Sequence, residues 1–202
     1  MKLFSIIVYY KSGSSATSEV RLLKGAYDLN SFGFFQRATV REFMIFTGKV
    51  ILERSTLASR SSTKEQDYMC HMYVRGDGLA GMVVSDTEYP QRVAHNLISR
   101  VLDEFASKVP AASWPNIAES NVQYSALEEY LHKYQNPREA DAMTRVQDEL
   151  DETKVVLHNT IQAVLERGEK LDDLVAKSEG LSAQSKMFYT SARKMNKCCT
   201  WV

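Results

Sequence analysis

Between Met1 and Lys11 apolar residues occupy both alternating faces, with Phe4, Ile6, Val8 and Tyr10 on one and Leu3, Ile7 and Tyr9 on the other. That pattern predicts a strand buried on both sides. Strand-like runs recur at Glu19–Ala26, Gln66–Arg75 and Leu79–Ser85, and the small residues Ser12–Ser18 suit a hairpin connection between the first two. The spacing then changes to 3.6. Beyond the aromatic-rich stretch Tyr27–Arg37, a helix is expected near Thr39–Arg54, with Val40, Phe43, Met44, Val50 and Ile51 as its inner stripe. A second helix opens at Pro90 and carries Ala94, Leu97, Ile98, Val101, Leu102 and Phe105, and a short third at Ala126–Lys133 carries Leu127, Tyr130 and Leu131. Strands with two apolar faces need helical cover, so residues 1–136 read as an α+β domain, a sheet with helices on its faces.

The pattern changes at Asn136-Pro137. Asn136 suits an N-cap and Pro137 a first helical position, and acidic residues crowd the opening turns. From Met143 a 3-4 alternation continues through Val146, Leu150, Thr153, Leu157, Thr160, Val164, Arg167, Leu171, Leu174, Ser178, Leu181, Ser185, Phe188, Ala192 and Met195. Of these 16 positions 11 are apolar and one is ionisable, Arg167. A seam of that length predicts a coiled-coil helix over 138–197. Such a helix would extend about 90 Å and cannot bury its own seam, so it must pair with other helices or fold back on its domain.

Composition narrows the function. The 202 residues carry 25 basic and 25 acidic side chains, which argues against a nucleic-acid binder that grips through net charge. No apolar run approaches the ~20 residues of a membrane span. Three cysteines make no disulfide framework and fit a reducing compartment; Cys70 sits in a strand-like run as a small buried hydrophobe. Cys198 and Cys199 precede Thr200-Trp201-Val202, where prenylation of one and palmitoylation of the other are expected (residues 198–202).

Arg167 carries most information. A guanidinium in a helical core costs several kcal/mol unless acceptors meet it, so partner helices must offer neutral oxygens, such as glutamine amides, in that layer. A buried polar layer of this kind fixes register.

Val164-Leu165-Glu166-Arg167-Gly168-Glu169-Lys170-Leu171 resembles the central layer of the R-SNAREs, the synaptobrevin (VAMP) superfamily of membrane-fusion proteins. The domain before it resembles a longin, profilin-like domain, an antiparallel sheet covered by helices and followed by a long SNARE helix. With Cys198-Cys199 in place of a membrane span, the chain is similar to the lipid-anchored, YKT-type longin R-SNAREs. Residues 42–55 (EFMIFTGKVILERS), 64–75 (KEQDYMCHMYVR), 133–141 (KYQNPREAD) and 150–160 (LDETKVVLHNT) carry the likeness.

The resemblance implies three Q-SNARE helices as partners, with Arg167 facing three glutamines and zippering that drives vesicle–membrane fusion. It implies prenyl on Cys199 and palmitate on Cys198 as covalent lipids, no cofactor, and a protein cycling between cytoplasm and the Golgi, ER, vesicle or endosomal membranes. Trp201 stands where an aliphatic residue is expected. On the first helix Ile45 and Leu52 point away from the inner stripe and need a partner, with Phe46 at its flank. The resemblance implies that Phe46 helps hold a closed form with the fusion helix packed on the longin domain, the alternative being that Phe46 enlarges the domain core. Charge agrees with the direction of zippering. Residues 138–179 hold 6 basic and 11 acidic side chains, whereas 186–202 hold Lys186, Arg193, Lys194 and Lys197 and no acid.

Patterns that would carry catalysis dissolve. Gly76-Asp77-Gly78-Leu79-Ala80-Gly81 is followed by a strand and reads as a hairpin turn; there is no P-loop, HExxH or CxxC, and His71, His95, His132 and His158 are scattered. No enzyme, metal site or nucleic-acid partner is expected. The alternative is a lipid-tethered, homodimeric coiled-coil adaptor, which would have to place two Arg167 side chains in one dry layer.

Overall fold

The computed structural model describes residues 1–13, 19–138 and 154–198, the last seven as backbone alone. Its strands are β1 (Leu3–Ser12), β2 (Glu19–Tyr27), β3 (Ser59–Glu65), β4 (Tyr68–Val74), β5 (Leu79–Asp86) and β6 (Val155–His158). Its helices are α1 (Arg37–Arg54), α2 (Gln91–Lys108), α3 (Ala126–Lys133), α4 (Leu171–Lys177) and α5 (Ala183–Cys198). The strands form one sheet in the order β2-β1-β5-β4-β3-β6. The first five pair antiparallel, and β6 joins β3 in parallel.

Both faces of the sheet are covered, as the two-sided strands require. On one face Ile6, Val8, Leu79 and Val83 meet Leu97, Ile98, Val101, Leu102 and Phe105 of α2, with Leu127 and Leu131 of α3 closing the cluster. On the other, Ile7, Tyr9, Met72 and Met82 meet Met44, Ile51 and Leu52 of α1. Strict alternation assigns Leu3 to the second face and Phe4 to the first. A register shift between Leu3 and Ser5 exchanges them, so Leu3 joins Ile6 and Phe4 joins Ile7. Helix α1 lies tight on the sheet because Gly48 faces the Tyr9 ring, where a Cβ would collide with the phenol; the Tyr9 hydroxyl donates to the Ile45 carbonyl at 3.3 Å.

One strand carries no apolar alternation. β3 reads Ser-Arg-Ser-Ser-Thr-Lys-Glu and is held by polar contacts. The Arg60 guanidinium lies 3.8 Å from the Tyr73 ring centroid and donates to Ser99 Oγ at 2.9 Å. The Ser62 hydroxyl sits between His71 Nδ1 at 2.9 Å and His95 Nε2 at 3.0 Å, all three buried. Burial pushes the His71 imidazole down to about 4. It pushes His95, which also feels His71 and Arg60, down to about 3.

The expected single helix over 138–197 is not what the described tail forms. After Lys154 it runs as β6, a 3-10 turn at Ile161–Val164, α4 and α5. A long amphipathic helix is stable only when its seam is covered; here the surface of the first domain covers parts of the tail in other conformations. Three α1 assignments also change. Leu52, expected outward, is fully buried within the α1–sheet cluster; Ile45, also expected outward, is half-buried against that cluster; and Phe43, expected inward, is half-buried with its ring against the tail.

Candidate functional site

The tail meets the first domain along one track, from the edge of β3 across α1. At its start Val155–His158 pairs with Arg60–Thr63, adding a strand to an open sheet edge. Glu65, the last residue of β3, accepts from the Ile161 backbone N–H at 3.0 Å, and Ile161 is buried. The Thr160 side chain accepts from Ala163 N at 3.2 Å and caps the 3-10 turn, which delivers Val164 to the core cluster under α1.

Glu166–Glu169 then forms a tight turn, closed by Glu169 N–H to Glu166 C=O at 3.0 Å. Gly168 takes φ +93°, a conformation that side-chain-bearing residues avoid. Glu169 locks this turn in two ways. Its carboxylate accepts from Glu166 N–H at 2.8 Å, and it takes a bidentate pair from Arg54, at 2.9 Å from Nε and 2.7 Å from Nη2. Hydrogen bonds from Arg54, then from Glu166 N–H, hold the Glu169 carboxyl down at about 2. Arg54 is itself fixed, donating to the Val50 carbonyl at 2.8 Å.

A second anchor lies at the other end of α1. Glu42 Oε2 accepts from Ser182 N–H at 2.9 Å and Ser185 Oγ at 2.7 Å, so α1 supplies a carboxylate to the first turn of α5. Burial opposes the Glu42 charge, but the serine hydrogen bonds outweigh it and keep its pKa below the usual carboxylate value. Next to it the Phe43 ring stacks on Tyr189 with centroids 5.7 Å apart, and Phe46 lies 6.3 Å beyond Phe43. The Tyr189 hydroxyl donates to Asp172 at 2.9 Å, which ties α5 to α4.

The heptad positions have separate fates in this arrangement. Leu181 and Ser185 are buried, and Val164, Leu171, Leu174 and Ser178 are half-buried. Leu157, Thr160 and Phe188 are exposed, and Arg167 is exposed on the Gly168 turn. Met143, Val146, Leu150 and Thr153 lie outside the described residues, as does Cys199; Ala192, Met195 and Cys198 are described as backbone of α5. Ile45 packs against the α1–sheet cluster, and Phe46 is half-buried.

The heptad reading missed Ile161, Val175, Glu169 and Tyr189, which do much of the docking. A signal for them exists in the sequence. Val155, Val156, Ile161, Leu165 and Val175 are apolar residues off the seam, which a narrow coiled-coil stripe leaves without a purpose. Among the described residues no group of three or more His, Cys, Asp or Glu is placed to hold a metal, and no helix is long and apolar enough to cross a membrane.

Residues 29–131 match the longin family model, described as a regulated-SNARE-like domain, and residues 142–202 match the synaptobrevin family model. A helix-covered sheet carrying such a tail is the build of a longin-type SNARE, a class without enzymatic activity. The chain is 48% identical over 199 residues to the synaptobrevin homolog ykt6 of Schizosaccharomyces pombe, 49% over 201 to YKT6 of Eremothecium gossypii and 44% over 203 to YKT6 of Saccharomyces cerevisiae. Each alignment covers 98% of both partners. The chain belongs to the YKT6 family of synaptobrevin homologues, longin-type R-SNAREs of membrane trafficking.

Proposed function

We propose that this chain zips residues 138–197 with three Q-SNARE helices into a four-helix bundle that drives vesicle–membrane fusion, and that the docked tail is its closed, resting form. One observation carries the reading. From residue 154 onward, the residues that carry the heptad seam form the strand, turn and short helices on α1 and β3. Leu181 and Ser185, buried, and Val164, half-buried against the α1–sheet cluster, cannot fill bundle layers while they are packed on their own chain. Release of the tail and assembly of the bundle are therefore one equilibrium, and Q-helices shift it by binding the open state alone.

In the bundle Arg167 meets three glutamine oxygens, and the energy of a neutral-acceptor layer around a cation sets the alignment. In the closed form the same side chain stays in water and costs nothing. Prenyl on Cys199 and palmitate on Cys198 attach the chain to the cytosolic face of Golgi, ER, vesicle or endosomal membranes. A single acyl chain of myristoyl size holds only marginally and reversibly, so two signals make attachment firm.

Mixing the chain with three soluble Q-helices tests the reading. A gain of helicity and a stable quaternary complex are expected, and Arg167→Leu should assemble in mixed alignments and merge liposomes poorly. Unchanged helicity on mixing, or an Arg167→Leu variant with native alignment and full fusion, would overturn it. In cell fractionation Cys198→Ser should cycle on and off membranes and Cys199→Ser should remain cytosolic. Full membrane recovery of both variants would refute the dual-lipid anchor.

A further inference from the structure

A 3-10 turn, Phe34–Gln36, leads into α1. The aromatic residues around it divide. Phe32 turns inward, 5.7 Å from Phe4 and stacked 6.4 Å from Tyr68. Phe34 and Phe35 turn outward, 77% and 85% exposed, and are the most exposed large apolar side chains among the described residues. Their rings sit edge to face, 5.5 Å apart. The tail does not account for them, because they remain in water with residues 154–191 packed on the domain.

The turn that presents them is fixed. Gln36 N–H donates to Gly33 C=O at 2.8 Å, Phe32 N–H to Leu29 C=O at 3.0 Å, and Arg37 Nε to Phe32 C=O at 3.3 Å. Such a turn holds two rings at a constant angle to the sheet. Between Asp28 and Glu42 the segment carries two arginines and no acidic residue, and Arg37 and Arg41 stand one helical turn apart at the start of α1. Arg41 lies over the Tyr27 ring at 4.9 Å and within 3.5 Å of Glu119.

We propose that Phe34 and Phe35 insert into the interface of an anionic lipid bilayer, with Arg37 and Arg41 at its headgroups. Two rings form too small a surface for a stable protein partner, which needs about 800 Å² from each side. They match an interfacial wedge, since bulky aromatic rings bury well at the edge of the hydrocarbon region and arginines beside them gain from anionic headgroups. The proposal deepens the membrane attachment proposed above and rests on it, adding a contact from the longin domain itself. The wedge would set the orientation of the domain on the bilayer, with α1, and so the tail that docks on it, at a fixed tilt.

The unmodified full chain and vesicles of phosphatidylcholine and phosphatidylserine in equal amounts provide the test. Phe34→Ser/Phe35→Ser should lower vesicle partitioning by about tenfold or more, because both rings lose their apolar burial. Its circular dichroism and thermal unfolding should match the parent, since both side chains are solvent-facing. Arg37→Gln/Arg41→Gln should weaken binding to these vesicles and flatten its salt dependence, with little effect on phosphatidylcholine alone. A depth probe separates the wedge from the basic end of α5. Phe35→Trp in a Trp201→Phe background should be quenched by brominated acyl chains, while Trp114, 2% exposed, stays silent. Equal partitioning of the double serine variant, an unquenched probe, or a ring-dependent self-association in place of vesicle binding would each overturn the proposal. None of those results touches the cysteine fractionation, so failure of the wedge and failure of the lipid anchor are told apart.

Discussion

His71, Ser62 and His95 show how a polar strand survives inside a sheet. The hydroxyl between two imidazoles pairs with one nitrogen of each, His71 Nδ1 and His95 Nε2, in place of the apolar contacts that β3 lacks. The arrangement needs both rings neutral. With His71 held at about 4 against an ordinary 6.5, the unfolded chain takes up protons first as pH falls. Stability from this pair is complete well above pH 6.5 and is lost progressively as pH falls, towards pH 4 for His71 and pH 3 for His95. From His71 alone the loss between pH 7 and pH 5 is about 2 kcal/mol. Urea unfolding at the two pH values should show this drop, and His95→Phe should make it smaller; an identical pH slope in parent and variant would count against the mechanism. Scattered along the chain, the four histidines gave no sign of this pair, because only the β3–β4 pairing and the packing of α2 bring two of them together.

Elements whose own periodicity matches their final surroundings were legible. Helices α2 and α3 lie where their 3.6 spacing put them, since one stripe of each faces the sheet and nothing else competes. β3 was not legible, having no apolar stripe, and neither was β6, whose residues fit a helical seam equally well. The turn at Gly168 decides between those alternatives. Its positive φ belongs only to the docked form, and a helix through residue 168 must abandon it. Alanine there costs the turn about 1–2 kcal/mol and gains a helix about 1 kcal/mol, so Gly168→Ala should shift the balance by 2–3 kcal/mol towards the open chain. Hydrogen exchange over residues 155–189 should rise and assembly with Q-helices should quicken. Exchange and assembly rates equal to the parent's would contradict a closed form built on this turn.

At the scale of the whole molecule, α1 is the shared wall. One side completes the sheet's core, the other receives the tail, and its two ends carry the anchors Glu42 and Arg54. The sequence showed that α1 has apolar residues on more than one side, but not which ring meets which neighbour. Phe43 turned out to take the tail's Tyr189, with Phe46 behind it. A charge placed in that ring cluster should free the tail without unfolding the domain. Phe46→Glu is expected to enlarge the hydrodynamic radius while keeping the sheet's circular dichroism, and a still-folded variant of unchanged radius would argue against the closed form.

Under the proposed bundle assembly, the sixth strand imposes a compromise on its own residues. Val155 and Val156 are β-branched, which favours a pleated edge and penalises a helix by a few tenths of a kcal/mol each. Residues that serve two geometries in alternation are optimal for neither, and any change that perfects one weakens the other. Selection for a tighter bundle alone would therefore erode this short edge strand first, and with it the protein's ability to wait.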